Sequence, residues 1–553
     1  MKGKARDIPF ALILLGFLAL LYARGLNAPL TYDDRAYLVD NGFSKNLRNL
    51  PALLSSRYFA GTGKPRYRPV SALGYFAGYS LAGLNPVPRR LLRLLLLSAN
   101  AFIVFRLGRR LKLGKWESLG AGLFFALHPA GAENFIILSF NDDPLCFLFL
   151  GLALLSATGD RPGKGWRAGF FYLAALLSKE TALLFLPLIG AGIAAGIPQG
   201  KAIRPSSWGL WGTITGAYLL VRFLLLPGKT TLVATPPAWV ERGPFAAQAL
   251  LANLSRLFFP VGLSLDYSWP QPGLAWNLPA APALGLALAA LAFLSLFLLS
   301  RKLRFAAAWL LLGLLPASHL LPLPQLTADR YLYLPLAGLA WLLAGLISSW
   351  RRRAGASALA GIIACFGLLT LNRMPAWLEP GAIWIEALER SPASVTAAYN
   401  LGSIRLAQGR VKEAESLYQR GLGQVRTPAQ AARGLTGLAE ISRRRGKKFL
   451  AAALAGKAVE FDPGFSRPRL LLAYLALQER RLEEAGSQLQ TVLAENPFEY
   501  EAWGLLGAVR AEEGDYAHAR RLMLRALELN PDYREGRKNL AVLDALSSRG
   551  EKR

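Results

Sequence analysis

Cysteine, histidine and methionine are scarce in this 553-residue chain, with two, three and three copies respectively. The two cysteines, Cys146 and Cys365, both fall inside apolar runs, which excludes a disulfide framework and a CxxC metal site. Three dispersed histidines, His128, His319 and His518, offer no His-built zinc site. The sequence points to no particular cofactor, and a divalent metal stays open. Acidic residues are also few: the first 378 residues hold thirteen, in a chain whose net charge is +29. Such an excess would suit a nucleic-acid binder if it formed a basic face. It lies instead in short clusters between uncharged apolar runs, the pattern of cytoplasmic loops, which argues against a nucleic-acid partner.

What is present is apolar: 53% of residues are hydrophobic and mean hydropathy is +0.29. Runs of this kind are best explained as bilayer crossings in contact with membrane lipids. Basic clusters at Arg106–Lys115, Arg161–Arg167, Lys201 with Arg204, Arg301–Arg304 and Arg351–Arg353 punctuate them. With these clusters and the N-terminus cytoplasmic, an even number of crossings separates each neighbouring pair. The spans are then 8–23, 91–106, 117–130, 145–157, two short helices within 168–197, 208–226, 281–300, 305–322, 331–349 and 356–371. That makes about eleven, with everything after about residue 373 outside. The first run follows MKGKAR without a small-residue cleavage site and reads as a retained span. The stretch 245–263, which contains Arg256, is expected to be an amphipathic helix on the outer surface.

On this topology ten of the thirteen acids lie at the outer face: Asp33, Asp34, Asp40, Glu133, Asp142, Asp143, Glu180, Glu241, Asp266 and Asp329. Carboxylates near membrane depth are costly and mark working sites. Two runs stop short, at His128-Pro129 and at Ser178-Lys179-Glu180, before they can cross about 30 Å of hydrocarbon. Broken helices at that depth are tolerated where protein buries them or a wet cavity borders them. A cavity open to the outer leaflet is therefore expected.

After Trp377 the apolar runs end and a 34-residue period appears, with repeats starting near 395, 432, 466 and 500. Trp503, Leu506, Gly507, Gly514, Ala519, Ala526 and Pro531 occupy tetratricopeptide-repeat (TPR) positions. Ala414, Ala451 and Ala485 fill the small-residue site of the other repeats, and Gly409 and Gly446 their inter-helix turn. A further helix over 535–549 is expected to cap the stack. The chain thus reads as all-α, with a membrane domain over 1–378 and a TPR solenoid over 395–550. A concave solenoid surface fits a polypeptide partner; a lid or dimerisation module is the plainer alternative.

The first outer loop opens Thr31-Tyr32-Asp33-Asp34-Arg35. Later segments read YRPVSALGYFAGYSLAGLNP (Tyr67–Pro86), HPAGAENFI (His128–Ile136), LSKE (Leu177–Glu180), FFPVGLSLDYSWP (Phe258–Pro270) and ADRYLYLP (Ala328–Pro335). Taken singly, these residues have ordinary explanations. Asp33-Asp34 fit a solvated helix cap, and Arg68, Lys179 and Arg330 fit cations snorkelling to headgroups. His128 fits a hydrogen-bonded helix end, and Asp266-Tyr267 a loop support.

In this order, and followed by the repeats, the segments resemble the transmembrane and tetratricopeptide-repeat-containing (TMTC) protein O-mannosyltransferases and their bacterial relatives. The resemblance implies a GT-C-like membrane domain that takes sugar from a polyprenyl-phosphate donor. It carries the family's catalytic acid pair onto Asp33 and Asp34, with Asp33 the first choice of base. Glu133, Asp143, Lys179, Glu180, Asp329, Arg330 and Tyr331 match family positions. Gly131, Asn141-Asp142 and Arg89, Arg90 and Arg93 depart from it around the expected cavity, which bears on the sugar or acceptor more than on the reaction class.

Glycosyl transfer from a lipid phosphate needs a base for the acceptor's proton and a cation for the departing phosphate. Asp is a weak base, and partial burial beside another carboxylate strengthens it. Arg68, Lys179, Arg330 and Tyr331 are the candidates for binding the donor phosphate or substrate, the three cations as charge-assisted hydrogen-bond donors. His128, Glu133, Asp143, Glu180, Asp266 and Asp329 are the remaining cavity candidates. The leading expectation is a glycosyltransferase acting on Ser/Thr of an exported polypeptide that the repeats receive. A non-enzymatic TPR scaffold for envelope or export partners is the alternative. An O-antigen-ligase-like polymerase ranks third, because it relies on a large Arg/His-rich outer loop and the late loops here hold only His319. Leu/Ala/Gly/Arg-heavy usage points to a bacterium, hence to an inner membrane with the repeats periplasmic.

Overall fold

The computed structural model describes residues 7–55, 57–62, 66–158, 165–194, 203–225, 239–267, 300–318, 327–347 and 352–550. Every regular element among them is helical. The expected span 281–300 (apart from Ser300), the end of 305–322, His319, Arg161, Lys164, Lys201 and Arg351 lie outside the described residues. Contacts divide the chain into two units. One comprises Met1–Thr31, Arg68–Ser71 and Asn85–Ser391; the other comprises Tyr32–Tyr67, Ala72–Leu84 and Pro392–Arg553.

The first unit contains α1 (Ile8–Tyr22), α2 (Pro86–Arg110), α3 (Lys115–Leu127), α4 (Asp142–Ala157), α5 (Gly165–Leu176) and α6 (Phe185–Ala194). It continues with α7 (Pro205–Leu225), α8 (Trp239–Phe258), α9 (Arg301–Leu314), α10 (Tyr333–Ile347), α11 (Arg352–Leu378) and α12 (Ala382–Arg390). Among the described residues, three helical stretches are long and apolar enough to cross a membrane: Pro86–Arg110, Asp329–Ile347 and Arg353–Leu378. Ile8–Tyr22, Glu180–Ala194, Ala249–Phe258 and Leu303–Ala317 are apolar but shorter. The 15 residues of α1 rise only about 22 Å, short of the hydrocarbon thickness.

Both expected helix breaks are present. His128 is extended (φ −67°, ψ 129°), and Pro129 after it has no N–H to continue a helix. Lys179 is likewise extended (φ −160°, ψ 141°), and the chain resumes as a 3-10 turn over Glu180–Leu184. Residues 128–140, which follow the first break, are buried throughout, so protein covers the irregular backbone. Tight packing elsewhere depends on small residues. A Cβ on Gly338 would stand 2.5 Å from the Leu310 nitrogen, so α9 and α10 approach backbone to backbone. Beside them the Trp309 and Trp341 rings meet edge to face at 5.0 Å, and their indole N–H groups donate to Leu334 O and Val104 O, both at 2.8 Å.

The second unit is built on helix pairs: α13 (Val395–Ala407) with α14 (Val411–Leu422), α15 (Pro428–Arg444) with α16 (Lys448–Phe461), α17 (Ser466–Gln478) with α18 (Leu482–Glu495) and α19 (Tyr500–Glu512) with α20 (Tyr516–Leu529). α21 (Arg534–Gly550) follows them. Ala414, Ala451, Ala485 and Ala519 are fully buried in the second helix of each pair. The turn within each pair needs a left-handed residue. Gly409 (φ 77°), Gly446 (φ 74°) and Gly514 (φ 86°) supply it in three repeats, and Arg480 (φ 57°) in the other. Segments 32–67 and 72–84, continuous in sequence with the apolar half, make their contacts in this unit.

Candidate active site

In the first unit the candidate cations are held by carboxylates. Arg68, just before the helix Pro69–Ala82, grips Glu180 with two parallel bonds, Nε to Oε2 at 2.9 Å and Nη2 to Oε1 at 2.7 Å. Its Nη1 donates to Asp142 Oδ2. Burial works against this charge, but Glu180 and Asp142 outweigh it and hold the guanidinium pKa well above its usual value. Lys179 Nζ reaches both oxygens of Asp143, at 2.6 and 2.7 Å, and Arg222 lies 3.8 Å from Glu180. Asp142 and Asp143 open α4, where the helix dipole favours negative charge. Three cations and three carboxylates balance in this cluster.

A second cluster gathers three arginines. Arg330 Nη1 donates to Glu133 Oε1 at 2.8 Å, and the Arg330 main-chain N–H donates to Oε2 at 3.1 Å. The Arg330 guanidinium also lies over Phe140 (4.6 Å) and Tyr331 (5.3 Å). Asp329 accepts from Tyr267 Oη at 2.6 Å and from Arg373 Nη1 at 3.1 Å. Arg256 stacks on the Tyr267 ring at 3.8 Å and donates to Thr327 Oγ1 at 3.2 Å. Arg256, Arg330 and Arg373 gather here around Glu133 and Asp329, and the Glu386 carboxylate also acts on Arg373. Burial pushes the Glu133 carboxyl up to about 7; Arg330 opposes the rise and Asp329 adds to it. Burial likewise raises the Tyr267 hydroxyl, with Asp329 beside it.

The remaining candidates are distributed differently. Asp33 and Asp34 belong to the second unit, Asp33 half-buried and Asp34 fully buried. Tyr32 before them is left-handed (φ 54°), a conformation that costs a bulky side chain energy. After them Arg35–Val39 forms one π turn, closed by the Asp40 N–H donating to Arg35 O at 2.8 Å; such turns concentrate at functional sites. His128 spends both ring nitrogens inside the fold, Nε2 donating to Leu257 O at 3.1 Å and Nδ1 accepting from Ala130 N–H at 3.2 Å. Asp266 is buried, and its carbonyl accepts from Ser264 Oγ at 3.0 Å.

The structure therefore brings Arg68, Asp143, Lys179 and Glu180 into one cluster, and Glu133, Asp329, Arg330 and Tyr331 into another. Sequence reasoning missed Tyr267, Arg373 and the inward-facing Arg256 as members of the second. Arg256 is the lone charge in its apolar stretch and Arg373 sits at the end of another, which is the available signal. Among the described residues no group of His, Cys, Asp and Glu is placed to hold a metal ion.

The tetratricopeptide-repeat family matches residues 382–432 and 470–534. Over a longer stretch, Drosophila melanogaster protein O-mannosyl-transferase Tmtc1 is 27% identical, covering 74% of this chain and 61% of its own length. The chain is similar to the TMTC protein O-mannosyl-transferases. Mouse TMTC4 is 25% identical over 74% of this chain and 66% of its own, and mouse TMTC3 is 23% identical over 98% and 66%. The chain thus spans less than two thirds of the length of these TMTC relatives. Among solved structures, TTC0263, a thermophilic TPR protein of Thermus thermophilus, aligns at 19% identity over 32% of this chain and 93% of that one, with a TM-score of 0.26.

Proposed function

We propose that this chain is a membrane glycosyltransferase of the GT-C kind, moving a sugar from a polyprenyl-phosphate donor to a hydroxyl of an exported polypeptide. The observation that carries the reading is its similarity to named protein O-mannosyl-transferases, which in one relative extends over 98% of the chain and so takes in both the apolar part and the repeats. In this reading eleven spans put the N-terminus in the cytoplasm of a bacterium and the repeats in the periplasm, where they receive the acceptor.

Asp33 is the base. Its carboxylate takes the acceptor hydroxyl's proton as that oxygen attacks the anomeric carbon. The bond from carbon to phosphate oxygen breaks, the phosphate keeps the electron pair, and direct displacement inverts the anomeric centre. The cluster around Arg330 takes the phosphate, because three buried or half-buried guanidinium groups, those of Arg256, Arg330 and Arg373, gather there as charge-assisted donors. Glu133 can release Arg330 to that anion, because burial favours the neutral form of its carboxyl. The balanced cluster around Arg68 ties the start of α4 to the helix break at Lys179-Glu180.

The test uses the full chain in lipid nanodiscs with polyprenyl-phosphate mannose, reading sugar incorporated into exported proteins by intact mass. Asp33→Asn should lower transfer by about a hundredfold or more while the circular dichroism stays native. A folded Asp33→Asn protein with full transfer would remove Asp33 from the mechanism. A mass increment on lipids alone would move the acceptor, and no increment at all would favour the scaffold.

A further inference from the structure

The segment that follows the acid pair is fastened to the end of the repeats by a buried lysine. Lys45 has a side chain only 1% exposed, and burying an ammonium is costly unless its donors are satisfied. Its Nζ donates to Val39 O at 2.8 Å and to Asn530 Oδ1 at 2.7 Å, and lies 3.8 Å from Asp532 Oδ2 and 5.8 Å from the centre of the Tyr79 ring. Asn530 and Asp532 lie between α20 and α21, at the far end of the repeat array.

The surroundings form a built joint. Phe43 is buried edge-on between Phe76 (5.3 Å) and Phe498 (4.7 Å). Gly42 passes so close to the end of α20 that a Cβ there would stand 2.9 Å from Leu529 O. Asn46 Nδ2 donates to Glu528 O at 2.9 Å, and Tyr79 Oη donates to Asp532 Oδ2, also at 2.9 Å. One arm of Lys45 thus holds the repeats. The other holds Val39, the last residue of the π turn that begins directly after Asp34.

We propose that Lys45 is a positioning residue through which the α20–α21 junction holds the Asp33–Asp34 turn in place. The repeats then serve the reaction itself as well as the acceptor. The proposal rests on the reading of Asp33 and Asp34 as the working acids.

Its test follows the full chain in nanodiscs with two substitutions made from opposite sides, Lys45→Met and Asn530→Leu. Both should speed hydrogen exchange of peptides spanning 32–46 by about tenfold or more while the α13–α18 peptides keep their protection. Both should lower kcat for mannose transfer by about tenfold with the donor KM within twofold, the split expected when only transition-state geometry is lost. Faster exchange at 32–46 with unchanged kcat, in a protein that Asp33→Asn inactivates, would overturn the positioning role and leave the acid reading standing. Lower kcat without faster exchange would also overturn it. Full transfer by Asp33→Asn and Asp34→Asn alike would sink the acid reading, whatever the exchange data show about the joint. If Lys45→Met fails to fold, Asn530→Leu, which leaves the lysine in place, decides alone.

Discussion

At the scale of single residues, two of the arginines that follow Pro86 act on the main chain. Arg90 is fully buried, and its guanidinium donates to four carbonyls: Ile136 O at 3.2 and 3.1 Å, Leu26 O at 3.1 Å, Pro29 O at 3.2 Å, and Ala28 O. Arg93 does the same for Leu138 O (2.6 Å) and Phe140 O (2.9 Å), and for the Asn141 side chain. Between them they gather the ends of two irregular segments, 26–29 and 136–141, whose carbonyls have no helix to satisfy them. A planar fork of five donors suits this task and an ammonium does not. Arg90→Lys should therefore destabilise the protein by about 2–4 kcal/mol, since each buried carbonyl left unpaired costs about 1–3 kcal/mol. Fluorescence-monitored thermal unfolding in detergent reads the effect, and a Tm unchanged from the parent would show that the fork is dispensable.

At the scale of elements, legibility followed the range of the interaction. The breaks at His128-Pro129 and Ser178-Lys179-Glu180 were readable because a proline or a charge interrupts an apolar run locally. The repeats were readable because small residues recur at a fixed period, and three of the four turns carry the glycine that their φ requires. Arg480 was not readable, because nothing nearby announces that an arginine occupies the left-handed position. Arg480→Gly should stabilise the repeats by about 1 kcal/mol, the order of the left-handed penalty for a residue with a Cβ. The exposed pair with Glu512 that it gives up is worth less than that. Urea unfolding of the parent and the variant measures the difference, and a lower midpoint in the variant would contradict the account. The pairings of Arg68 with Asp142 and Glu180, and of Arg373 with Asp329, join residues far apart in sequence. Composition marked these groups as unusual without naming their partners.

At the scale of the whole molecule, the proposed topology makes a prediction that needs no activity assay. With Cys146 and Cys365 changed to serine, a single cysteine at Gln424 in the repeats should react with an impermeant maleimide on intact spheroplasts. One at Lys115, in the cytoplasmic cluster of the proposed topology, should react only after permeabilisation. The reverse pattern would invert the protein in the membrane, and labelling of both on intact spheroplasts would break the odd span count. The joint at Lys45 also has a consequence in time. Its bond to Asn530 spans 485 positions of chain, and ribosomes add about 5–20 residues per second. The turn bearing Asp33 and Asp34 therefore waits roughly 25–100 seconds after its own synthesis for the residue that secures it, so this joint cannot close until the last repeat has emerged.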